Sequence, residues 1–451
     1  MFSFLRKIIP PSFIRGYHYI LAVIAAWVYN SPSEYMTVIG VTGTNGKSSV
    51  VELVRAIFES AGFNTASLSS IRTVINGKEE MNMQKMTMPG RFALQRFLKR
   101  AHGQGVTHAV LEATSEGIRQ FRHRGIAWDG LVFTNLAPEH IESHGSFEKY
   151  KAEKEKLFQY LSSTSSKTRI PKIIVVNGDD PHGRDFLSYK ADKKWIYGIH
   201  NVHANQMASL LHEGVFEETE DVTLIVPSFH EVTPQGIRFV VEGIEISSSL
   251  LGEMNMYNIL AAIAATRAYG IEWKAIGQGI EKIKIIPGRL EYVQREPFAV
   301  IVDYAHTPDA LRKVYETLRN ANNKSQITNN RLICVFGAAG GGRDTWKRPE
   351  LGKIAGEFCD AVILTNEDPY DEDPTAILDE IAVGFSNDKL QITNYKILDR
   401  AEAIRQAIKD ARSGDIVILT GKGSEQWIAG KDGTMIPWDE REVVKDILRQ
   451  L

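Results

Sequence analysis

A glycine-rich segment at residues 42–48 (TGTNGKS) follows a short β-branched run and precedes a stretch with helical apolar spacing. At a helix N-terminus, backbone N–H groups and the helix dipole attract phosphate oxygens. In such a loop Lys47 supplies a charge for the β- and γ-phosphates, and Ser48 supplies a hydroxyl for Mg²⁺. The general phosphate-loop spacing would require Gly at position 41, where this chain has Val41. The segment alone therefore predicts nucleotide binding and does not separate a kinase, a switch and a ligase.

Size and composition indicate an ordinary globular chain with more than one domain. Its 451 residues exceed one typical hydrophobic core. A hydrophobic fraction of 43%, a charged fraction of 24% and a formal net charge of -2 argue against disorder and against nucleic acid as a partner. Cys334 and Cys359 lie in apolar runs without metal-ligand spacing, so we expect reduced thiols and no disulfide, as in a cytoplasmic protein.

Hydrophobic strands alternate with helical patterns along most of the chain, which predicts an α/β fold. Residues 36–286 are predicted to form a central phosphate-loop ATPase domain with a mostly parallel sheet covered by helices. Short alternating segments from about residue 204 to 251 predict a β-rich extension of this domain. A second βα alternation begins near residue 287, so residues 287–451 are predicted to form a Rossmann-like α/β domain.

Residues 1–35 form a separate, short, basic and apolar segment. Its apolar run from Ile20 to Tyr29 is too short for the roughly 20 residues that span a bilayer. One interpretation is a helix packed on the protein or on a partner copy. The other is an amphiphilic helix in residues 1–30 that makes peripheral contact with the inner membrane surface. Both keep the protein cytoplasmic, and we expect a monomer.

Eight further segments, in order along the chain, resemble the Mur ligases of peptidoglycan synthesis. Within that family the chain is most similar to the UDP-N-acetylmuramoyl-tripeptide synthetases, or MurE type, from about Val38 to the C-terminus. The segments are residues 87–89 (TMP), 111–116 (LEATSE), 133–140 (FTNLAPEH), 251–258 (LGEMNMYN), 287–289 (PGR), 302–309 (VDYAHTPD), 336–344 (FGAAGGGRD) and 421–425 (GKGSE).

The resemblance implies an ATP-dependent amide ligase. The γ-phosphate of ATP passes to a carboxylate of a muramoyl peptide, and the amine of a free amino acid then displaces phosphate from the acyl phosphate. The implied catalytic residues are Lys47, Glu112, His140 and Lys154. Ser48, Glu112, His140 and Lys154 are implied to hold two Mg²⁺ ions, with Lys154 carrying a CO₂-derived carbamate that turns its cation into an anion.

The remaining implied contacts fall into two groups. For the nucleotide they are Thr42, Gly43, Thr44, Asn45, Gly46, Lys47, Ser48, Asn258, Arg289, Asp303 and His306. For the acceptor and for the amino acid, which the C-terminal domain is implied to bind, they are Thr87, Met88, Thr114, Gln120, Arg122, Arg343, Glu367, Asp368, Pro369, Tyr370, Gly421 and Glu425.

Two departures from the family bear on the substrates. Only about 35 residues precede the ATPase core, where the family usually has a domain that binds UDP, so the acceptor could be linked to a lipid instead. Diaminopimelate-adding members have Asp-Asn-Pro-Arg where this chain has residues 367–370 (EDPY). Tyr370 cannot replace the charge of an arginine, and the acidic pair favours a cationic side chain such as that of lysine or ornithine.

Other functions remain open at this stage. Within the superfamily, the alternatives are a diaminopimelate-adding ligase, a ligase with a lipid-linked acceptor, and a folylpolyglutamate or polymer ligase. Outside enzymes, the alternative is an ATP-binding scaffold that has lost catalysis. The joint presence of Lys47, Glu112, His140 and Lys154 argues against the scaffold.

Overall fold

The fold is known from a computed structural model, which describes residues 11–81, 87–168, 170–200, 221–324, 331–385 and 394–451. The first part of the chain contains twelve strands and nine helices among these residues, apart from a short 3-10 turn at Pro32–Tyr35. In chain order they are α1 (Pro11–Val28), β1 (Thr37–Thr42), α2 (Lys47–Ser60), β2 (Thr65–Leu68), β3 (Arg72–Ile75), β4 (Lys78–Met81), α3 (Arg91–Gly103), β5 (His108–Glu112), α4 (Ser115–Arg119), β6 (Gly130–Phe133), α5 (Ile141–His144), α6 (Phe147–Ser163), β7 (Ile173–Asn177), α7 (Gly183–Leu187), β8 (Lys193–Tyr197), β9 (Asp221–Ile225), β10 (Phe229–Thr233), β11 (Gly236–Val241), β12 (Ile244–Ser248), α8 (Glu253–Arg267) and α9 (Trp273–Lys282).

A nine-stranded sheet of order β4-β3-β2-β5-β1-β6-β7-β8-β9 forms the centre of this part. The strands from β2 to β9 in that order are parallel, and β3 and β4 extend one edge as antiparallel strands. Helices α2, α8 and α9 bury one face, and α3 and α6 bury the other. Strands β10, β11 and β12 form the β-rich extension as a small antiparallel sheet, although residues 201–220 of the predicted stretch lie outside the described residues.

The second part of the chain forms a smaller sheet of order β13-β14-β18-β15-β16-β17, in which only the edge strand β13 is antiparallel. Together with the hairpin of β19 and β20, this is the α/β architecture predicted for the C-terminal half. Its elements are β13 (Glu291–Gln294), β14 (Ala299–Val302), α10 (Pro308–Lys324), β15 (Leu332–Phe336), α11 (Lys347–Phe358), β16 (Ala361–Leu364), α12 (Pro374–Ala382), β17 (Asn394–Lys396), α13 (Arg400–Asp410), β18 (Ile416–Leu419), β19 (Trp427–Ala429), β20 (Met435–Pro437) and α14 (Glu440–Gln450).

The two cysteines form a disulfide, so the prediction of reduced thiols was wrong. Cys334 lies within β15 and Cys359 directly follows α11, with 6.1 Å between their Cα atoms. Both side chains are buried. The chain leaves β15, forms α11 and then enters β16, which pairs with β15. This crossover brings Cys359 back beside Cys334, 25 positions earlier. Sequence spacing alone does not show such a return.

The N-terminal segment contains a helix, α1, that packs on α3. Its small residues Ala22, Ala25 and Ala26 are buried, which agrees with the interpretation of a helix packed on the protein. None of the helices in the described ranges is long and apolar enough to cross a bilayer.

A buried ion pair ties α13 to α14. Arg400 Nε lies 2.9 Å from Glu440 Oε2, and the Arg400 guanidinium also donates to the carbonyl oxygens of Asn366 and Thr420. The two side chains are 1% and 0% exposed. Such a pair tolerates the loss of one partner poorly, because the other charge stays buried without compensation.

We therefore expect Arg400→Met to lower the free energy of unfolding by about 3–5 kcal/mol. The matched control is Arg312→Met, because Arg312 forms an exposed pair with Glu357 whose removal should cost less than about 1 kcal/mol. Urea unfolding followed by circular dichroism measures both. Equal losses for the two variants would contradict the assignment of this pair as a structural anchor.

Candidate active site

The phosphate loop connects β1 to α2, as predicted. Gly46 adopts a left-handed φ of 81°, and a Cβ there would lie 2.3 Å from the Asn258 Oδ1 atom on α8. Asn135 holds the loop from the other side, because its carbonyl accepts from Thr44 N at 2.8 Å and its Oδ1 from Asn45 N at 2.9 Å. Contacts with Asn258 and Asn135 thus fix the position of the loop at the start of α2.

A carboxylate and two serine hydroxyls meet beside the loop. Glu112 ends β5, the strand next to β1, and it is buried. Its Oε2 accepts from Ser48 Oγ at 2.8 Å and from Ser70 N at 2.9 Å. Parallel strands end at the same edge of a sheet, which explains why residues 64 positions apart meet here. Hard oxygen donors of this kind suit Mg²⁺.

The predicted metal ligands do not form a closed cage. No group of three or more His, Cys, Asp or Glu side chains suited to a metal ion occurs in the described ranges. Mg²⁺ usually keeps several waters and binds through one or two carboxylates plus substrate phosphates. Ser48 and Glu112 at the phosphate loop fit that mode, in which the nucleotide supplies the missing ligands.

Lys154 points inward from α6 and is 1% exposed. Composition alone would make this segment a charged helix surface. The Lys154 Nζ atom donates to the Gly43 carbonyl at 2.7 Å and lies 4.7 Å from the centre of the Tyr150 ring. Burial, followed by the nearby charge of Lys47, lowers the pKa of Lys154 well below its usual range. The amine thus lies directly beneath the phosphate loop and favours its neutral form.

A second polar cluster joins the two halves of the chain. The Glu139 carboxylate lies 3.2 Å from His306 Nε2 and 3.7 Å from His140 Nε2. Burial raises the pKa of Glu139, but the charges of His140, His306 and Lys47 outweigh it and hold the pKa well below its usual range. Asp344 Oδ2 accepts from the backbone N of His140 at 2.7 Å. His306, predicted to contact the nucleotide, therefore faces Glu139.

Residues predicted to bind the acceptor form one wall. The Arg122 guanidinium donates to the Met88 carbonyl and, at 2.8 Å, to Gln120 Oε1. Thr114 caps α4 by accepting from Gly117 N at 3.1 Å, so its predicted substrate role competes with a structural one.

The predicted amino-acid residues lie in the C-terminal half of the chain. The Arg343 guanidinium lies 4.7 Å from the centre of the Tyr370 ring. Asp368 accepts from Lys422 Nζ at 3.1 Å and from Ala429 N at 2.6 Å. Glu367 and Asp368 therefore cannot both offer a charge to a substrate, because the buried Lys422 already neutralises Asp368. Glu367 keeps a buried Oε2 without a hydrogen-bond partner among the described residues.

The junction between the halves holds the remaining nucleotide residues. Arg289 stacks on the Tyr304 ring at 4.3 Å. Both carboxylate oxygens of Asp303 accept from backbone amides, of Leu290 and of Ala305, at 2.7 Å each. Asp303 therefore stabilises this turn. A nucleotide contact of Asp303, as predicted, would have to use carboxylate oxygens that already accept these backbone hydrogen bonds.

One continuous cavity of about 1280 Å³ connects these regions. The phosphate loop, the acceptor wall and the amino-acid end all line it. Only three predicted site residues are not in its lining, namely Thr42, Gly43 and Pro369. The lining predicted from sequence comprises Thr44, Asn45, Gly46, Lys47, Ser48, Thr87, Met88, Glu112, Thr114, Gln120, Arg122, His140, Lys154, Asn258, Arg289, Asp303, His306, Arg343, Glu367, Asp368, Tyr370, Gly421 and Glu425.

Comparison with known proteins identifies the family of this chain. The sequence family described as Mur ligase middle domain matches residues 41–266, and the one described as Mur ligase, glutamate ligase domain matches residues 288–423. A UDP-N-acetylmuramyl-tripeptide synthetase of Roseiflexus sp. (strain RS-1) is 36% identical over 96% of this chain and 82% of the relative. A UDP-N-acetylmuramoyl-L-alanyl-D-glutamate--2,6-diaminopimelate ligase of Solibacter usitatus (strain Ellin6076) is 35% identical over 95% of this chain and 80% of the relative.

The chain belongs to the Mur ligase family. Like its family, it is an ATP-dependent ligase that forms amide bonds, it uses Mg²⁺, and it belongs to peptidoglycan biosynthesis. Among solved structures, a diaminopimelate ligase of the same kind as the Solibacter relative has 27% identity and a TM-score of 0.56, over 92% of this chain and 78% of the other. A folylpolyglutamate synthase of Mycobacterium tuberculosis, with 18% identity and a TM-score of 0.67 over 89% of this chain and 91% of the other, shares the fold.

The Mur ligase site also contains polar residues that were not singled out in the sequence. Asp344, Tyr150 and Lys422 are buried and line or support the cavity. Asp344 and Lys422 lie inside the motifs at residues 336–344 and 421–425. These motifs therefore indicated the region of the site, but they did not indicate these two residues individually. Tyr150 had no comparable signal, because its hydroxyl reaches Thr44 Oγ1 at 3.1 Å only in the folded chain.

Substitution of Gly46 should weaken ATP binding specifically. Gly46 and Gly62 have similar left-handed φ values of 81° and 86°, but no atom lies within 4 Å of a Cβ at Gly62. We expect Gly62→Ala to cost about 1–2 kcal/mol of folding free energy, and Gly46→Ala to cost more because of the added collision. Only Gly46→Ala, which collides with Asn258, should also lower nucleotide affinity, by about tenfold or more, as measured by calorimetric titration with ATP. Equal affinities in both variants would show that the loop is not the nucleotide site.

Proposed function

We propose that this ligase activates a carboxylate of a muramoyl peptide as an acyl phosphate and joins it to a free diamino acid. The observation that carries the proposal is the single cavity, which connects the phosphate loop to the acceptor wall and to the amino-acid end. The printed names of the relatives from Roseiflexus and Solibacter, a tripeptide synthetase and a diaminopimelate ligase, agree with it.

Phosphoryl transfer requires charge neutralisation and alignment more than covalent help from the protein. Lys47 lies in the loop, with its Nζ atom 2.6 Å from the Thr44 carbonyl, where it would face the β- and γ-phosphates. Bound Mg²⁺ would neutralise phosphate charge at Ser48 and Glu112. Lys47, Ser48 and Glu112 would thereby hold the γ-phosphate in position for the acceptor carboxylate.

Contacts between the two halves protect the intermediate. An acyl phosphate hydrolyses readily, so water must be excluded before the amine attacks. Glu139 with His306, Asp344 with His140, and Asn45 Nδ2 with Asp309 Oδ2 at 3.1 Å close the two halves around the cavity.

Lys154 is proposed to act as a carbamate. Its depressed pKa supports this role, because CO₂ adds to the neutral amine and not to the ammonium form. The addition forms an N–C bond and releases one proton, and the product is an anion. An anion at this position would offset the charge of Lys47 and supply an oxygen ligand for a metal ion.

The amino-acid end supports a basic side chain on the incoming diamino acid. Arg343 offers a guanidinium for the α-carboxylate. Glu367 offers the unpartnered, buried Oε2 beside Gly421, where a Cβ would lie only 2.5 Å from that oxygen. An ammonium group of lysine or ornithine would satisfy this oxygen, whereas Tyr370 gives no charge for a second carboxylate.

Diaminopimelate is the second candidate, because the Solibacter relative is named for it at 35% identity. That amino acid carries both a second ammonium and a second carboxylate. The ammonium could reach Glu367 in the same way. The two candidates therefore differ only in whether a cation meets the distal carboxylate.

Removal of the Lys154 amine should abolish turnover. We expect Lys154→Met to lower the rate of ADP formation by about 10²-fold or more, a loss typical of a charge removed from a transition-state site. The control is Lys149→Met, because Lys149 is exposed on the same helix. Turnover of the unmodified chain should fall in CO₂-depleted buffer and recover with bicarbonate. A chain that is indifferent to bicarbonate, while Lys154→Met is inactive, would exclude the carbamate and leave only a positioning role.

A competition between amino acids tests the proposed substrate. The protein is incubated with ATP, Mg²⁺, a UDP-linked muramoyl dipeptide and lysine, ornithine or meso-diaminopimelate, and products are identified by mass. We expect lysine or ornithine to react fastest, and Tyr370→Arg to shift the preference towards diaminopimelate by about tenfold or more, because arginine binds a carboxylate in a bidentate manner.

The variant Tyr370→Phe is the matched control and should keep the original preference. Fastest reaction with diaminopimelate in the unmodified chain would replace the first candidate with the second. No adduct with any amino acid would overturn the proposed function itself.

A further inference from the structure

In the N-terminal helix α1 the small apolar side chains are buried and the large ones are exposed, whereas large apolar side chains are usually buried. Its small residues Ala22, Ala25 and Ala26 face the protein, where a Cβ at Gly125 would lie 2.7 Å from that of Ala26. Its large apolar residues face outward instead. The exposed ones are Phe13 (73%), Tyr17 (60%), Tyr19 (44%), Ile20 (57%), Val23 (48%), Ile24 (41%), Trp27 (77%) and Val28 (50%).

Five of these residues form one stripe along the helix, because their spacing alternates between four and three positions. They are Phe13, Tyr17, Ile20, Ile24 and Trp27. At 18 residues the helix is about 27 Å long, so the stripe is a contiguous apolar surface along one side of the protein. Surfaces of this kind mark interaction sites on proteins.

The helix that carries the stripe and the helix beneath it have basic but no acidic residues. The first acidic residue of the chain is Glu34, whereas Arg6, Lys7 and Arg15 precede it. Helix α3, on which α1 packs, has no acidic residue and exposes Arg96 and Lys99. An apolar stripe rich in aromatic residues, on a part of the chain with this positive charge, fits a surface of anionic lipids.

A second copy of the chain is less well matched to this surface. A symmetric dimer places the same patch of each copy against the other. Neither α1 nor α3 contains an acidic residue, so a second copy would bring no carboxylate of these helices to the basic groups of the first. Anionic lipid headgroups would supply that negative charge, and aromatic rings are favoured at the membrane interface.

We propose that α1 docks this ligase on an anionic lipid surface through the stripe of Phe13, Tyr17, Ile20, Ile24 and Trp27, without crossing the bilayer. Tyr19 lies 6.0 Å from the Phe121 ring, edge to face, and the Arg15 guanidinium lies 6.0 Å from the same ring. Phe121 separates Gln120 from Arg122, two residues that line the cavity. Docking thus places the acceptor wall beside the membrane, and, if the proposed function holds, this side of the site would receive a lipid-linked muramoyl peptide.

The experiment uses the full chain and vesicles of phosphatidylcholine, alone or in an equimolar mixture with phosphatidylglycerol. We expect sedimentation with the mixed vesicles to exceed that with phosphatidylcholine by about tenfold, and to fall as salt is added. The triple variant Ile20→Gln, Ile24→Gln and Trp27→Gln should lose about tenfold or more of this binding.

The matched control is the triple variant Phe229→Gln, Ile244→Gln and Val383→Gln, which removes three exposed apolar residues far from α1 in the sequence and should bind vesicles normally. Circular dichroism and ligation of a soluble UDP-linked acceptor are measured on every variant. Activity on that acceptor tests the proposed function separately from vesicle binding.

Two results would overturn the docking proposal. In the first, the unmodified chain does not bind either kind of vesicle and is monomeric in analytical ultracentrifugation. In the second, it forms a dimer that the α1 triple variant abolishes, which would assign the stripe to a second copy.

Discussion

Two lysine side chains contact the backbone of one glycine-rich loop, and their burial near each other and near two carboxylates sets the electrostatics of the site. Lys47 belongs to the loop, and Lys154 reaches the Gly43 carbonyl from α6 on the opposite face of the sheet from α2. Burial removes the water that would screen these charges, so one amine must give up its proton or acquire anionic neighbours. Glu112 and Glu139 are those neighbours.

The same cluster of charges extends to the C-terminal half. Glu139 is buried, and a buried carboxylate is costly unless it is compensated, which His140 and Lys47 do from the first half. His306 contributes a partner from the second half, and Asp344 accepts the backbone N–H of His140 at the adjacent position. Polar contacts across the junction therefore lie close to Lys47 of the phosphate loop.

The sequence allowed prediction of those parts that depend on local pattern or on strand order. The resemblance to the Mur ligases implied that Ser48 and Glu112 meet, and the pairing of the parallel strands β1 and β5 accounts for their contact. The α/β architecture of both halves followed from alternating strands and helices. Contacts that depend on a crossover or on the junction could not be expected in this way. The bond between Cys334 and Cys359 and the Asp344 contact to His140, 204 positions away, both belong to this group.

Asp344 also has a thermodynamic consequence. It stands next to Arg343, the residue implied to hold the amino acid, while its carboxylate accepts from the backbone N of His140, next to Glu139. Any shift of this loop when an amino acid enters would be felt at the nucleotide end, and the reverse must hold to the same extent, because binding linkage is reciprocal. The two substrates would then raise or lower each other's affinity by one common factor.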